Sequence, residues 1–328
     1  MKGELYLISK SLKVPEINLQ LEALVRRIPE QHPAREKVIS EYKKRSAGFK
    51  GEERLFYYLS FLEPKKYWIF HDLRLSNGSQ FFQIDALLLT ANFGLILEVK
   101  NWTGTLIFNP HFQQIIRIHN DKEEGFPDPI SQGRHQTNQF RNWLDLNGFP
   151  GIPLDFLVII SHPSTIIKAE TDPLQISKVV LHSHHLLSKM NGIENKYPRE
   201  KTDSKEIRKL SRTLLKKHTP AQSEILEQFN VSAEEILTGV TCPKCASLPM
   251  IFHWGKWHCP MCLFSSSSAH EAAVQDYFRL IKPAITNSEF RSFTHIPSPY
   301  TASRILSRMN LSSIRNKRHR IYEKTLEQ

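Results

Sequence analysis

The order of apolar patterns along the chain predicts a mixed α/β fold carrying a small metal-stapled module near its end. Three observations lead there. Five short apolar runs crowd together between 67 and 118, helix-periodic segments lie on both sides of them, and all four cysteines fall within 242–262. Helix, strands, helix and strand in succession is the signature of an α/β layer architecture.

The elements follow in order. Residues 17–47 read as helical and polar-rich, through "LQLEALVRRI" and "AREKVISEYKKRS", with "PEQHP" interrupting. In "AGFKGEERLFYYLSFLEP", Gly51 is expected to loosen the backbone. Leu55, Tyr58, Leu59 and Leu62 then give the one-face stripe of a packed helix, which Pro64 ends. "YWIFHDLRL", "FFQIDALLLT", "GLILEVKNW", "GTLIF" and "QQIIRI" suggest an antiparallel meander. "DPISQGRHQTNQFRNWLDLNG" returns to helical period, before the buried strand "LDFLVIISH" and the weaker "KVVLH". The stretch from about 190 to 220 is polar with one basic helix. Short helices are expected at "AQSEILEQFN" and "SAEEILTG", and Ser268 with Glu271 has capping-box spacing before "AHEAAVQDYFRLIKP".

With 328 residues, 40% of them hydrophobic, the chain can bury a substantial core. Its 44 Lys+Arg against 33 Asp+Glu leave +11 and a pI near 9.4, a balance that favours a polyanionic partner, nucleic acid before membrane. No run approaches the ~18 apolar residues of a membrane span, and the N-terminus has no secretory pattern. The expected compartment is therefore the cytoplasm, with the cysteines as thiols or metal ligands.

Charge inside the strand pair "QIDALLLTANFGLILEVKNW" is the chemical signal. Residues i and i+2 of a strand share a face, so Glu98 and Lys100 project together. Taking "ANFG" as a four-residue loop pairs Thr90 with Leu95. That register sets Asp85 opposite Lys100 and diagonal to Glu98, two acids and an ammonium at one hairpin end. Neighbouring carboxylates repel, and a hard cation such as Mg²⁺ resolves the conflict, with a lysine free to act on water or on phosphoryl charge. The competing reading is a solvated hairpin end with an Asp–Lys pair. Against it stand the apolar surroundings of Asp85 and the nearby helix acid Glu52.

"AGFKGEERLFYYL", "QIDALLLTANFGLILEVKNWTG" and "DPISQGRHQTNQFRNWL", in that order, resemble the nuclease-related domain over roughly 45–165. That domain belongs to the PD-(D/E)xK superfamily of restriction-endonuclease-like folds, a mixed sheet flanked by helices. The resemblance implies that Asp85, Glu98 and the Val99 carbonyl ligate Mg²⁺ or Mn²⁺. It also implies that Lys100 is the catalytic lysine, Glu52 the helix acid and Gln132 a helical site residue. The family's usual Asn-Pro is replaced by Asp128-Pro129. Glu53 is the alternative helix acid. Gln136, one turn from Gln132, is read as solvated, His71 and Asp72 as structural, and His162 as a surface residue.

Cys242-x₂-Cys245 and Cys259-x₂-Cys262 have the spacing of a four-thiolate zinc ribbon, a closed site whose Zn²⁺ is structural. Four thiolates complete that shell, leaving His253, His258 and His270 outside it. Trp254, Lys256 and Trp257 are candidates for stacking on nucleic acid. The end, "TASRILSRMNLSSIRNKRHRIYEK", is expected to be helix, turn and helix with a basic run.

The expected layout is an N-terminal helical segment at 1–44, a nuclease-related domain at 45–190 and a helical linker at 191–239. A zinc ribbon with its following helix occupies 240–282, and a basic, helix-turn-helix-like tail 283–328. The expected function is a metal-dependent nuclease acting on DNA. The alternatives are a non-cleaving nucleic-acid-binding adaptor and an RNA-processing nuclease.

Overall fold

The computed structural model describes residues 8–78, 80–314 and 320–324. Its strands and helices are, in chain order, β1 (Ile8–Lys10), α1 (Glu16–Arg27), α2 (Arg35–Leu59), β2 (Trp68–Ser76), β3 (Phe81–Leu89) and β4 (Gly94–Lys100). Next come β5 (Thr105–Asn109), β6 (Gln114–His119), β7 (Lys122–Pro127), α3 (Pro129–Leu146), β8 (Leu154–Ile160) and β9 (Ile166–Ala169). They are followed by α4 (Pro173–Val179), β10 (Val180–His182), α5 (Leu186–Lys196), α6 (Ser204–Lys217) and α7 (Ile225–Gln228). The last elements are β11 (Ile251–His253), β12 (Lys256–His258), β13 (Ser265–Ser266), α8 (Ala269–Leu280), β14 (Ala284–Thr286), α9 (Asn287–Thr294), α10 (Pro299–Leu306), β15 (Leu311–Ile314) and β16 (Ile321–Lys324). Two compact units result: the stretch up to Lys13 joins Ser46–Ala221, and Val14–Arg45 joins the stretch from Gln222 onward.

The first unit is a six-stranded mixed sheet in the order β1-β2-β3-β4-β8-β10. Strands β2, β3 and β4 are antiparallel, while β8 runs parallel to β4 and β10 parallel to β8. Alternation gives each face its own apolar set. Leu95, Leu97 and Ala86 pack under Leu55 and Leu59 of α2 and Met190 of α5, whereas Ile96, Leu87 and Leu89 pack under Phe140 and Trp143 of α3 and Leu210 of α6. The expected single meander is divided between two sheets, because β5, β6 and β7 leave the main sheet and pair with β9 in a second, four-stranded one.

The hairpin register differs from the expected one by two residues. Leu89 pairs with Gly94 and Ala86 with Leu97, so only Ala91 and Asn92 lie beyond the Thr90–Phe93 closing contact. Thr90 tightens the turn: its N–H donates to Phe93 O at 2.9 Å, and its hydroxyl oxygen accepts the Asn92 and Phe93 N–H groups. Gly94 is not a turn residue. A Cβ there would sit 2.8 Å from a Leu154 methyl, and the glycine lets β4 lie against the start of β8. A shift of two preserves which residues face which side.

Helix α2 is another correction. Gly51, expected to loosen the backbone, lies inside a helix of 25 residues that runs through it. Gly51 serves close approach instead: a Cβ would lie 2.7 Å from Asn101 Cβ and 2.8 Å from Ser161 Oγ. The segment expected as a linker, 191–239, also divides, since α6 buries Ile207, Leu210 and Leu214 and belongs to the first unit, where Leu210 and Leu214 join the sheet core.

The second unit is built on one core that includes Leu21, Leu24, Val274, Phe290 and Trp257. Arg27, fully buried, meets Asp276 at 2.8 Å and joins α1 to α8. The Ser268 side chain makes no cap hydrogen bond, so the expected capping box at α8 does not form; Thr286 and Glu289 form one at α9 instead. The tail is helical through α10. Beyond it the expected second helix is replaced by strands β15 and β16, which pair with each other, β16 also pairing with β14. Four-residue segments are too short to sustain a helix, and burial of Tyr322 ties β16 to the core. Most of the basic run "IRNKRHR" lies outside the described residues. Among the described residues no helix is long and apolar enough to cross a membrane.

Two glycines of α2 give a test. Gly48 meets nothing within 4 Å, so Gly48→Ala should gain up to about 1 kcal/mol of helix propensity. Gly51→Ala has the same propensity gain but forces α2 off Asn101 and Ser161, with overpacking of about 1–3 kcal/mol. Denaturant melts should therefore rank Gly48→Ala above wild type and Gly51→Ala below it.

Candidate active site and thiolate centre

Strand β3 leaves β4 where the charged residues begin. The β3–β4 ladder stops at Ala86–Leu97, while β4 continues beside β8 as far as Lys100–Ile160. Asp85 stands at this fork. It has no ladder partner on β2 either: the β2–β3 register passes from His71–Ala86 to Leu73–Ile84, and Asp72 adopts a left-handed backbone at φ 48°. The break exchanges the faces of both strands. On the turn side Phe70, Leu87 and Leu89 point toward α3, and beyond it Leu73, Leu75, Phe82 and Ile84 do.

Freed from the ladder, Asp85 accepts the Val99 N–H at Oδ2, 2.8 Å away. The N–H and C=O of a strand residue point to the same side, so the Val99 carbonyl also faces the fork. Glu98 and Lys100 project together toward α3, as their spacing predicted. Glu98, 1% exposed, places Oε1 2.6 Å from Lys100 Nζ and takes the Gln136 amide at Oε2, 2.7 Å. Lys100 Nζ donates to Gln132 Oε1 at 3.0 Å and lies 5.7 Å from the Trp102 ring.

Two helices aim at this point from opposite faces of the sheet. Asp128 caps α3, its carboxylate accepting the Ile130 and Ser131 N–H groups at 3.0 Å, and Pro129 occupies the first turn. The aspartate thus supplies a start for the helix, and Gln132 and Gln136, one turn apart, both reach the fork. Helix α2 is tied to the end of β4 by Asn101, whose Nδ2 donates to Ala47 O at 2.5 Å and whose Oδ1 accepts from Arg54 at 2.7 Å. This anchoring presents Glu52 to the site, while Glu53 faces solvent.

The electrostatics are those of crowded carboxylates. Asp85 is pushed well above its usual range by burial and by the charges of Glu98 and Glu52, against the Val99 N–H and Lys100. Glu52 is raised to about 7, by burial first and then by Asp72 and Glu98, with Lys10 opposing. Lys10 itself donates to the His71 and Asp72 carbonyls at 2.8 Å each, so β1 carries a second cation to the cluster. His71 is held down at about 4 by burial and Lys10.

Asp85, Glu98, Lys100 and Gln132 come together, Glu52 joins them through its charge, and Gln136 is a buried partner of Glu98 rather than a solvated residue. Its i+4 relation to Gln132 was the available signal. Lys10 and Asp72 left no comparable trace in the sequence. His162 is half-buried, its Nδ1 3.1 Å from the Ser164 hydroxyl. The donor set suits a hard divalent ion: two carboxylates and one carbonyl directed at the fork, with a raised proton affinity at Asp85 that a cation would relieve. The three acids do not by themselves converge tightly. Among the described residues only the four cysteines form a group of at least three such ligands within 4.8 Å of one another.

Those cysteines sit on two matching knuckles. Ala246 N donates to Cys242 O and Leu263 N to Cys259 O, and both Ala246 and Leu263 take a left-handed backbone at φ 59°. The sulfurs of Cys242 and Cys262 are 3.6 Å apart, those of Cys245 and Cys259 3.5 Å. A tetrahedral ion with 2.3 Å Zn–S bonds separates its sulfurs by about 3.8 Å, so the four can hold one zinc. The Cys262 and Met261 N–H groups draw the Cys259 thiol down to about 6, toward the thiolate such a site needs. Of the two tryptophans expected to grip nucleic acid, Trp257 is 0% exposed and donates to His270 Nδ1 at 3.1 Å, so it is core. Trp254 is 91% exposed.

The family model of the nuclease-related domain matches residues 47–161, which contain Glu52, Asp85, Glu98, Lys100, Gln132 and Gln136. No curated protein and no solved structure gave a significant match.

Two outcomes follow from the geometry. Protein prepared without chelator should contain one zinc per chain by elemental analysis, and Cys259→Ser should lose it and unfold at lower temperature. Unchanged metal content in the variant would contradict a four-thiolate site. The second concerns Glu52 in metal-free protein. An unfolded glutamate ionises near 4.5 and the folded one near 7, so folding stability falls as pH rises through that interval. The loss is on the order of 3 kcal/mol, at 1.36 kcal/mol per unit. In EDTA, Glu52→Gln should therefore melt above wild type at pH 8 and lose that advantage at pH 4.

Proposed function

We propose, from the nuclease-related domain at 47–161, that the chain is a divalent-metal-dependent nuclease hydrolysing phosphodiester bonds, with DNA as the expected substrate. The observation that carries the reading is that Asp85 lies near enough to Glu98 and Lys100 for their charges to act on it, at the fork of β3 and β4. Asp85, Glu98 and the Val99 carbonyl would hold Mg²⁺ or Mn²⁺. When bound, the ion supplies Lewis-acid stabilisation of the phosphoryl oxygens and lowers the pKa of water.

The protein's own groups do the rest. Lys100 orients the attacking water and offsets charge on the phosphorane-like transition state. Gln132 accepts a Lys100 hydrogen bond and fixes where the ammonium sits. Gln136 holds the second oxygen of Glu98, keeping the carboxylate oriented toward its partner. Glu52 would bind a water or the metal shell once deprotonated. Zinc on the four thiolates completes a closed shell and so serves folding, not hydrolysis. A cytoplasmic location is part of the proposal, because free thiolates on a metal need a reducing compartment.

A second reading is a nucleic-acid-binding adaptor that does not cleave. It draws on one feature: both Glu98 oxygens already have protein partners, Lys100 and Gln136. Cleavage separates the two readings. Plasmid and oligonucleotide DNA and RNA, incubated with Mg²⁺, Mn²⁺ or EDTA, should be cut only with metal. Asp85→Ala and Lys100→Ala should each lose at least about 10²-fold in rate. Equal cleavage by wild type and both variants would mark a contaminant and defeat the proposal.

A further inference from the structure

Helix α6 carries a concentration of charge that the candidate site does not use. Ile207, Leu210, Ser211 and Leu214 are buried, and the opposite face presents Lys205, Arg208, Lys209, Arg212 and Lys216. Three pairs of these are like charges at i, i+4: Lys205–Lys209, Arg208–Arg212 and Arg212–Lys216. Each pair destabilises the helix. Lys205, Arg212 and Lys216 have no carboxylate partner among the described residues, and the one acid of the helix, Glu206, is bonded to Thr202. The cations line a shallow depression of about 390 Å³ with Thr213.

The helix is tied down at both ends, which fixes where the stripe leads. At its start the Lys201 and Thr202 N–H groups donate to Ala91 O in the β3–β4 turn, at 2.8 and 3.1 Å. At its end Thr219 N donates to Arg74 O at 3.0 Å, and His218 Nδ1 accepts the Arg74 N–H at 3.2 Å. Arg74 lies two residues past Asp72, and His218 is close enough to feel both Lys10 and Asp72 besides its burial. The cations therefore run from the closed end of the hairpin to the level of its fork, about 16 Å from Lys205 to Lys216 at 1.5 Å per residue.

We infer that the exposed face of α6 is a phosphate-binding track on which a nucleic-acid strand lies as it enters the fork. The inference rests on the nucleic-acid reading of the fork, and names the surface that holds the substrate. A row of cations at regular rise, with Lys205, Arg212 and Lys216 free of carboxylate partners among the described residues, matches a polyanion with regularly spaced phosphates and supplies affinity without reading sequence. An anionic membrane is disfavoured by the same geometry. A helix lying on lipid inserts its apolar face, and here that face is used up in the core.

The test is binding by the full chain in EDTA, where cleavage cannot interfere. Fluorescent single-stranded and duplex oligonucleotides are titrated across a salt series, with wild type beside Lys205→Gln/Arg212→Gln/Lys216→Gln. Glutamine keeps helix propensity, and circular dichroism checks folding. The variant should bind about tenfold more weakly or worse, and its slope of log K against log salt should flatten by about 2–3. The equal charge change Lys43→Gln/Lys44→Gln/Lys122→Gln should leave the slope within about 1 of wild type. Equal losses in the two triple variants, or none in the first, would overturn the track, as would wild type binding phosphatidylserine vesicles but no oligonucleotide. Absence of metal-dependent cleavage with the α6 effect intact would remove the nuclease reading and leave the track standing.

Discussion

Three carboxylates, those of Glu52, Asp85 and Glu98, cannot all carry charge near one another inside a fold unless something positive answers them. Much of the first unit is organised around that repulsion. Two lysines approach from opposite sides, Lys10 from β1 and Lys100 from β4. The Val99 N–H and the Gln136 amide take up one oxygen each of the two strand acids. What is left unbalanced appears as a proton held by Asp85 well above its usual range. A divalent cation would replace that proton and release Lys100 from Glu98. That relief is what the proposed metal site would draw on.

The fork is what makes the tension accessible. In an uninterrupted hairpin Asp85 would face Glu98 across a ladder, with backbone hydrogen bonds closing the gap between them. The break at Asp72 and Asp85 turns both strands over, ends the pairing of β3 with β4, and leaves the Val99 peptide without a partner on β3. Asp85 substitutes for the missing backbone acceptor with its own side chain. The same irregularity thus orients the Asp85 carboxylate and parts the two strands at the fork. The thiolate centre follows the opposite logic. Its four sulfurs could enclose one ion completely, and a shell closed in that way holds a small sheet together but offers no position for water.

Short-range spacing was a good guide wherever the chemistry is local. Glu98 and Lys100, two apart on a strand, do share a face, and two C-x₂-C pairs do meet. Register was another matter: the Thr90 hydroxyl closes the turn two residues sooner than "ANFG" suggested, an effect of one side chain on its own backbone. Gly51 misled for a related reason, because a glycine that loosens a helix and one that admits a neighbour look the same until the neighbour is known. Trp257, offered as a stacking surface, is core because Phe252, His270 and the rest of the second unit close over it.

Residue order alone was enough to establish a mixed α/β chain, a charged hairpin and a four-cysteine module. Each of these depends on contacts a few residues long or on a motif whose geometry is built into its spacing. The partners that tune the hairpin were beyond it. Lys10 arrives across more than sixty residues, Glu52 from a helix on one face and Gln136 from a helix on the other, and α6 lies along a hairpin more than a hundred residues upstream. Such meetings are set by how sheet faces choose their helices, a matter of apolar packing that no short stretch of sequence encodes.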